Sequence, residues 1–154
     1  MKITLKNVKF AAFASEETNC FSATIYIDGK TTGTTVGNDG HGGCNYYHGG
    51  DAEKRLMAYA KTLPPVETDM KNPDGTVFTY PQDADSLVDE VFNEHMKTQE
   101  LKRICKGKTC FRIPGEAYND GEYHTLRSVF NPKVKDHLVK KYGPTVFILN
   151  ENLA

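Results

Sequence analysis

An α+β fold is what this sequence predicts, and three observations carry the prediction. The run FSATIYI, residues 21–27, alternates apolar and polar side chains without a break, which is the period of a half-buried strand. Asp28-Gly29 follows at once, a favoured two-residue hairpin turn, and leads into a second β-prone run, KTTGTTV. Residues 84–105 instead place Leu87, Val88, Val91, Phe92, His95 and Met96 on one helical face, which Leu101, Ile104 and Cys105 extend. Strands at the start, helices after them and mixed elements at the end make an α+β order rather than a regular βαβ alternation.

The first strand changes phase. Ile3 and Leu5 share one face, Val8, Phe10 and Ala12 the other, and a bulge near Lys6-Asn7 reconciles them. Strands near 2–12, 20–27 and 30–36 are thus expected to form a three-stranded antiparallel sheet packed against the helix at 84–105. KTTGTTV, rich in threonine, is expected at an edge or with one wet face. Asp51 reads as the N-cap of AEKRLMAYAKTL, with Leu56, Met57, Ala60 and Leu63 as its buried stripe and Pro64-Pro65 as its stop.

Residues 64–82 hold four prolines and an Asp-Gly, and read as a long irregular loop with one short strand at TVFTY. Asp83 or Asp85 caps the long helix and Gly107 ends it. Toward the C-terminus, TCFRI reads as a strand, Asn119-Asp120-Gly121 as a turn and EYHTLRSVF as a second strand. Asn131-Pro132 opens a short helix, PKVKDHLVKKY, which Gly143-Pro144 terminates, and TVFILN is expected as a closing buried strand.

A chain of 154 residues fits one domain over 1–154, and 38% hydrophobic with 25% charged residues is a globular composition. No apolar run approaches the roughly 20 residues of a membrane crossing. The start, MKITLKNVKF, lacks the apolar core of a signal peptide, so a cytoplasmic protein is expected, with its four cysteines as reduced thiols. A net charge of −1 argues against a general affinity for nucleic acid. The charge is nonetheless uneven. Residues 64–94 carry eight acidic residues against Lys71, while residues 97–112 carry six basic residues against Glu100. Such faces are solvated or paired within the fold, or one of them docks a partner of opposite charge.

The stretch richest in chemistry is GNDGHGGCNYYHGGD, residues 37–51, with six glycines, two histidines, a cysteine and two tyrosines between a strand and a helix. As an anion cradle it would use glycine backbone and a helix N-terminus, but it has neither the G-x-x-x-x-G-K-[ST] spacing nor a dinucleotide fingerprint. As a metal site, His41, Cys44 and His48, with Asp39 nearby and Cys20 as a fourth ligand, would suit tetrahedral zinc; close-spaced zinc knuckles usually bring a second ligand pair, however, and Cys105-x4-Cys110 is expected to lie elsewhere. As a catalytic loop, His41 or His48 would serve as base and Cys44 as nucleophile, and no established catalytic motif surrounds them. The remaining reading is a recognition loop. Its length suits function, and Asn45, Tyr46 and Tyr47 suit contact.

Elsewhere, His95 reads as a core histidine, and His124 has no visible partner. KRICKGKTCFR is the best basic patch, offering Arg103, Lys106, Lys108 and Arg112 to an anionic ligand, or complementing a helix C-terminus.

The segments AAFASEETNCFSATIYIDGK and NDGHGG resemble those of small uncharacterised proteins encoded by tailed bacteriophages, and FRIPGEAYNDGEYHTL is similar in style. The resemblance spans most of the chain. It implies a protein made in an infected bacterium to block a host defence system, by binding a protein or sequestering a nucleotide signal, and it carries over no functional residues. The expectation is therefore a non-enzymatic binding protein with no assigned catalytic residue, metal or cofactor. Its contact residues would be Asn38, Asp39, His41, Gly42, Gly43, Asn45, Tyr46, Tyr47 and His48, with Arg103, Lys106, Lys108 and Arg112. Its partner would be a bacterial host protein or a small anionic nucleotide. The alternative is a small phosphoesterase or nucleotide-modifying enzyme with His41 or His48 as acid/base.

Overall fold

In the computed structural model, which describes residues 1–153, two compact units divide the chain, Met1–Asn93 and Glu94 onward. The fold is α+β. In the first unit, β1 (Ile3–Phe10), β2 (Phe21–Ile27), β3 (Lys30–Asn38) and β4 (Tyr46–His48) form an antiparallel sheet in that order. The alternation in FSATIYI is realised, with Phe21, Ala23, Ile25 and Ile27 all buried. Asp28 and Gly29 turn the hairpin at φ 50° and 79°, the left-handed pair that a two-residue turn demands. The phase change in β1 is a real bulge. Its register slips between Lys6 and Lys9, with Asn7 at φ 54°.

The sheet has one strand more than the sequence predicts. Tyr46–His48 folds back out of the glycine-rich stretch and pairs with Thr35–Gly37. That places β3 inside the sheet rather than at its edge, although the expected wet face is there: Thr34, Val36 and Asn38 are buried while Thr31, Gly33 and Thr35 are exposed.

Helix α1 (Ala52–Ala60) buries Ala52, Leu56 and Ala60. Met57, predicted in that stripe, is 40% exposed. Asp51 occupies the N-cap position without a side-chain cap bond, and the free N–H of Ala52 donates instead to Thr34 Oγ1 on β3 at 3.2 Å. Cross-element capping of this kind leaves no trace in local sequence.

Residues 64–82 are more regular than predicted. β5 (Val66–Lys71) and β6 (Val77–Tyr80) form a two-stranded antiparallel hairpin whose turn is the Asp74-Gly75 region. Helix α2 (Ala84–Cys105) follows. Asp83 is its cap: the Ser86 N–H donates to Asp83 Oδ1 at 2.8 Å, and the Asp83 N–H donates to Ser86 Oγ at 2.9 Å, a reciprocal capping box. Within the first unit, α2 buries Leu87, Val88 and Phe92. The Phe92 ring stacks on Phe21 at 4.3 Å and meets Phe10 at 5.8 Å, which seats the helix on the sheet as expected.

In the second unit, β7 (Thr109–Arg112) lies between β8 (His124–Leu126) and a third short strand, all antiparallel. Helix α3 (Pro132–Tyr142) is capped by Asn131, whose side chain accepts the Val134 N–H at 3.1 Å, and Gly143 ends it at φ 93°. The third strand, β9 (Phe147–Ile148), is shorter than the predicted buried strand TVFILN. Phe147 is 49% exposed, and Leu149–Glu151 turns into a 3-10 helix. Only three residues of EYHTLRSVF pair. The unit's core has two parts, Cys105 with Cys110 and Leu149, and Phe111 with Leu138 and Ile148. Burial and the neighbouring Cys105 thiol push the Cys110 thiol up to about 12. Among the described residues, no helix is long and apolar enough to cross a membrane.

Candidate functional site

The glycine-rich stretch is held shut from beneath. Asn38, at the end of β3, is 8% exposed. Its Oδ1 accepts from Thr18 Oγ1 at 2.6 Å and from the Gly40 N–H at 2.9 Å, while its Nδ2 donates to Asn45 Oδ1 at 3.1 Å. One carbonyl, that of Gly40, accepts from the backbone N–H groups of Glu16, Glu17 and Thr18 at 2.9–3.2 Å. The connection between β1 and β2 is thereby fastened to the loop between β3 and β4, and the two form one ledge. Gly40 is required at this junction: its φ is 89°, and a Cβ there would lie 1.9 Å from the Ala14 carbonyl oxygen.

The start of α2 completes the support. The Asn45 backbone N–H donates to Asp85 Oδ2 at 3.1 Å, Asn45 Nδ2 to Asp89 Oδ1 at 3.0 Å, and the Tyr47 hydroxyl to Asp85 Oδ1 at 2.8 Å. Burial first, then the bond to Asp85, holds the Tyr47 hydroxyl far above its ordinary pKa, so it remains a donor. The Asp89 carboxyl is also raised, by burial against the opposing Asn45 bond, with the charges of Asp85 and Asp83 adding to the rise.

Two hollows flank this network. One, of about 150 Å³, is lined by Thr18, Asn19, Asn38, Asn45, Asp85 and Asp89 among others. The second, of about 230 Å³, is lined by residues that include Cys44, Tyr47, Glu53, Met57 and Asp83. Asn45 and Asp85 belong to both.

Other loop residues face outward. Tyr46 is 51% exposed, and its hydroxyl reaches Asp39 Oδ2 at 3.3 Å; the Asp39 charge raises its pKa. His41 Nδ1 lies 3.4 Å from Glu16 Oε2, both side chains well exposed, and His48, Gly43 and Cys44 are exposed too. Three consecutive N–H groups that a phosphate could use are engaged within the chain: Gly40 with Asn38, His41 with Asp39 at 3.1 Å, and Gly42 with Thr18 at 3.2 Å. Among the described residues, no three His, Cys, Asp or Glu side chains are placed to hold a metal, so His41, Cys44, His48 and Cys20 are not assembled as ligands.

Phe13 is the residue that sequence reasoning missed. It sits in the short 3-10 turn Ala12–Ala14, 94% exposed, one residue from the carbonyl that Gly40 packs against. Its signal was an aromatic set among small residues, AAFAS, beyond the alternation of either neighbouring strand.

The four cations proposed beside the loop belong to the second unit. Arg103 is held by Glu100 through two bonds of 2.6 and 2.8 Å. Arg112 Nε donates to the Glu122 carbonyl at 2.9 Å, and its guanidinium lies 5.5 Å from the Tyr118 ring centre. Lys106 and Lys108 are exposed and form no ion pair among the described residues. His124, for which the sequence shows no partner, has one: its Nε2 lies 2.9 Å from Glu116 Oε2, which also accepts the Tyr118 hydroxyl at 2.7 Å. His95 is half-buried on α2.

Compared with protein-family models, with curated proteins and with solved structures, the chain matches none.

Proposed function

We propose that this is a non-enzymatic binding protein that docks the ledge formed by residues 11–20 and 38–48 onto a basic surface of another protein. The carrying observation is the pair of acid-lined hollows that share Asp85 and Asn45 beneath a loop already fastened in place. A lysine or arginine side chain entering either hollow meets carboxylates and amide oxygens, which is the chemistry that recognises an ammonium or guanidinium. Phe13 and Tyr46, exposed on the same ledge, supply aromatic contact area, the residue class that dominates binding energy at interfaces. Because Asn38, Asn45 and Tyr47 already order the loop, little conformational entropy is lost on docking.

The resemblance to tailed-phage proteins makes a bacterial host protein the proposed partner, with occupation of its surface as the inhibitory act. Between that partner and a small anionic nucleotide, the lining favours the protein. Asp39, Glu53, Asp83, Asp85 and Asp89 surround the loop, and they repel phosphate.

Calorimetric titration with a lysine- and arginine-rich peptide, with ATP and with inorganic phosphate tests the reading. The peptide is expected to bind in a salt-sensitive manner, and Phe13→Ala with Tyr46→Ala to weaken it about thirtyfold at unchanged melting temperature. Binding of ATP in place of the peptide would overturn the choice of partner. Turnover of a phosphoester that His41→Ala or His48→Ala abolishes would replace it with the enzyme reading.

A further inference from the structure

The hairpin β5–β6 has no part in the ledge, and its composition is unusual for a solvated ribbon. Its strands pair only with each other. Every residue of β6 is exposed, Val77 at 44%, Phe78 at 40% and Tyr80 at 41%, and Met70 on β5 is 62% exposed. Two strands alone are marginally stable in water. Phe78 and Tyr80, two positions apart, share one face of the ribbon while Val77 takes the other, and exposed apolar side chains on a shared face mark an association site.

The ribbon is nevertheless firmly built. The Asn72 N–H donates to the Thr76 carbonyl at 2.8 Å, Asn72 Nδ2 to Thr76 Oγ1 at 2.9 Å, and the Thr76 N–H to Asp74 Oδ1 at 3.0 Å. Thr68 Oγ1 ties β5 to the Phe78 carbonyl at 2.8 Å, and Gln82 Nε2 closes the base on the Pro64 carbonyl at 2.8 Å. A ribbon locked at its tip, middle and base, with apolar side chains turned to solvent, has the form of a docking arm.

Charge selects the occupant. Glu67, Asp69 and Asp74 outweigh Lys71 on the arm, and neither Glu67 nor Asp69 forms an ion pair among the described residues. The complementary chemistry is carried by the same sequence: residues 97–112 hold six cations against Glu100, and Lys102, Lys106 and Lys108 have no ion-pair partner among the described residues. We propose that the β5–β6 arm docks on a second copy of this chain, its face of Phe78 and Tyr80 covered and its carboxylates meeting the basic 97–112 segment of that copy. Reciprocal exchange of this contact between two copies would close the assembly as a dimer.

Sedimentation velocity of the full chain over a concentration series, at low and high salt, tests the proposal. A dimer that forms with concentration and weakens with salt is expected. Val77→Thr, Phe78→Thr and Tyr80→Thr together, which keep β propensity, should render the chain monomeric with its melting temperature shifted by no more than a few degrees. Should that variant fail to fold, the charge pair decides. Glu67→Lys with Asp69→Lys, and separately Lys106→Glu with Lys108→Glu, should each lower dimer affinity at least tenfold, and mixing the two should restore a heterodimer. A wild-type chain that stays monomeric at every concentration would overturn the proposal. So would a dimer indifferent to the arm and charge variants. Neither variant set touches the ledge, so a failure here is separate from a failure of the binding reading.

Discussion

The Tyr47 hydroxyl donates to Asp85 Oδ1 at 2.8 Å while Asp85 Oδ2 accepts the Asn45 N–H at 3.1 Å, so one carboxylate at the start of α2 anchors both ends of a short stretch of loop. Tyr47 and Tyr46 are adjacent in sequence and differ in role. Tyr47→Phe removes a part-buried bond to a carboxylate and should cost about 1.5 kcal/mol, lowering the melting temperature by roughly 3–6 °C. Tyr46→Phe loses only an exposed 3.3 Å bond to Asp39 and should change stability by less than about 0.5 kcal/mol. Equal thermal shifts for the two would show that Asp85 does not organise the loop.

Two glycines of the loop make an internal control. Both Gly40 and Gly43 have positive φ, 89° and 84°, but a Cβ meets the Ala14 carbonyl at Gly40 and open space at Gly43. Gly43→Ala should cost about 1 kcal/mol, the left-handed penalty alone. Gly40→Ala must also part the two loops of the ledge and should cost more than about 3 kcal/mol. Urea unfolding measures both, and similar midpoints would mean that the contact between Gly40 and Ala14 is not tight in solution.

Asp89 supplies a pH dependence of definite sign. Its carboxyl is raised above 3.8, chiefly by burial, so the folded state binds the proton more tightly than the unfolded chain. Stability from this group is fully present below the unfolded value and is lost as pH rises through the raised folded one. Asp89→Asn keeps an oxygen for Asn45 Nδ2 and removes the charge. The variant should melt higher than wild type at pH 7, by no more than about 3 °C, and the advantage should vanish near pH 3. An advantage that persists at low pH would assign it to packing instead of ionisation.

Glu116 shifts in the opposite direction. The His124 imidazole, and after it the Tyr118 hydroxyl, hold its carboxyl below 4.5. Its contribution is present above the ordinary carboxylate value and is lost as pH falls through the lowered one. Carboxyl-carbon NMR titration should find Glu116 below the usual range, and His124→Leu should bring it back up. No change on that substitution would place the pair apart in solution.

Wherever neighbours in sequence are also neighbours in space, the elements were legible. The hairpin of β2 and β3, the bulge at Asn7, the Asp83 cap of α2 and the Asn131 cap of α3 all follow from side chains within a few residues of the backbone they shape. The departures share one cause. Asp51 holds the N-cap position, but the bond to the Ala52 N–H comes from Thr34 on β3; Met57 faces outward although Leu56 and Ala60 of the same stripe are buried; and the Glu116 that meets His124 is brought to it by a chain reversal.

By itself the sequence determined an α+β fold, the alternation that builds the first sheet, and the glycine-rich stretch as the place to look for function. Periodicity and turn chemistry act over a few residues and need no partner, which is why they can be read directly. Only tertiary structure decided that part of this stretch is a fourth strand, that Asn38, Asn45 and Tyr47 support it from within, and that Phe13 stands exposed beside it. It also decided that carboxylates from α2 line the hollows on either side. The bonds to Thr18, Asp85 and Asp89 join residues 20 to 44 positions apart, and the direction in which a hydrogen-bonding side chain points is set by what the fold brings beneath it.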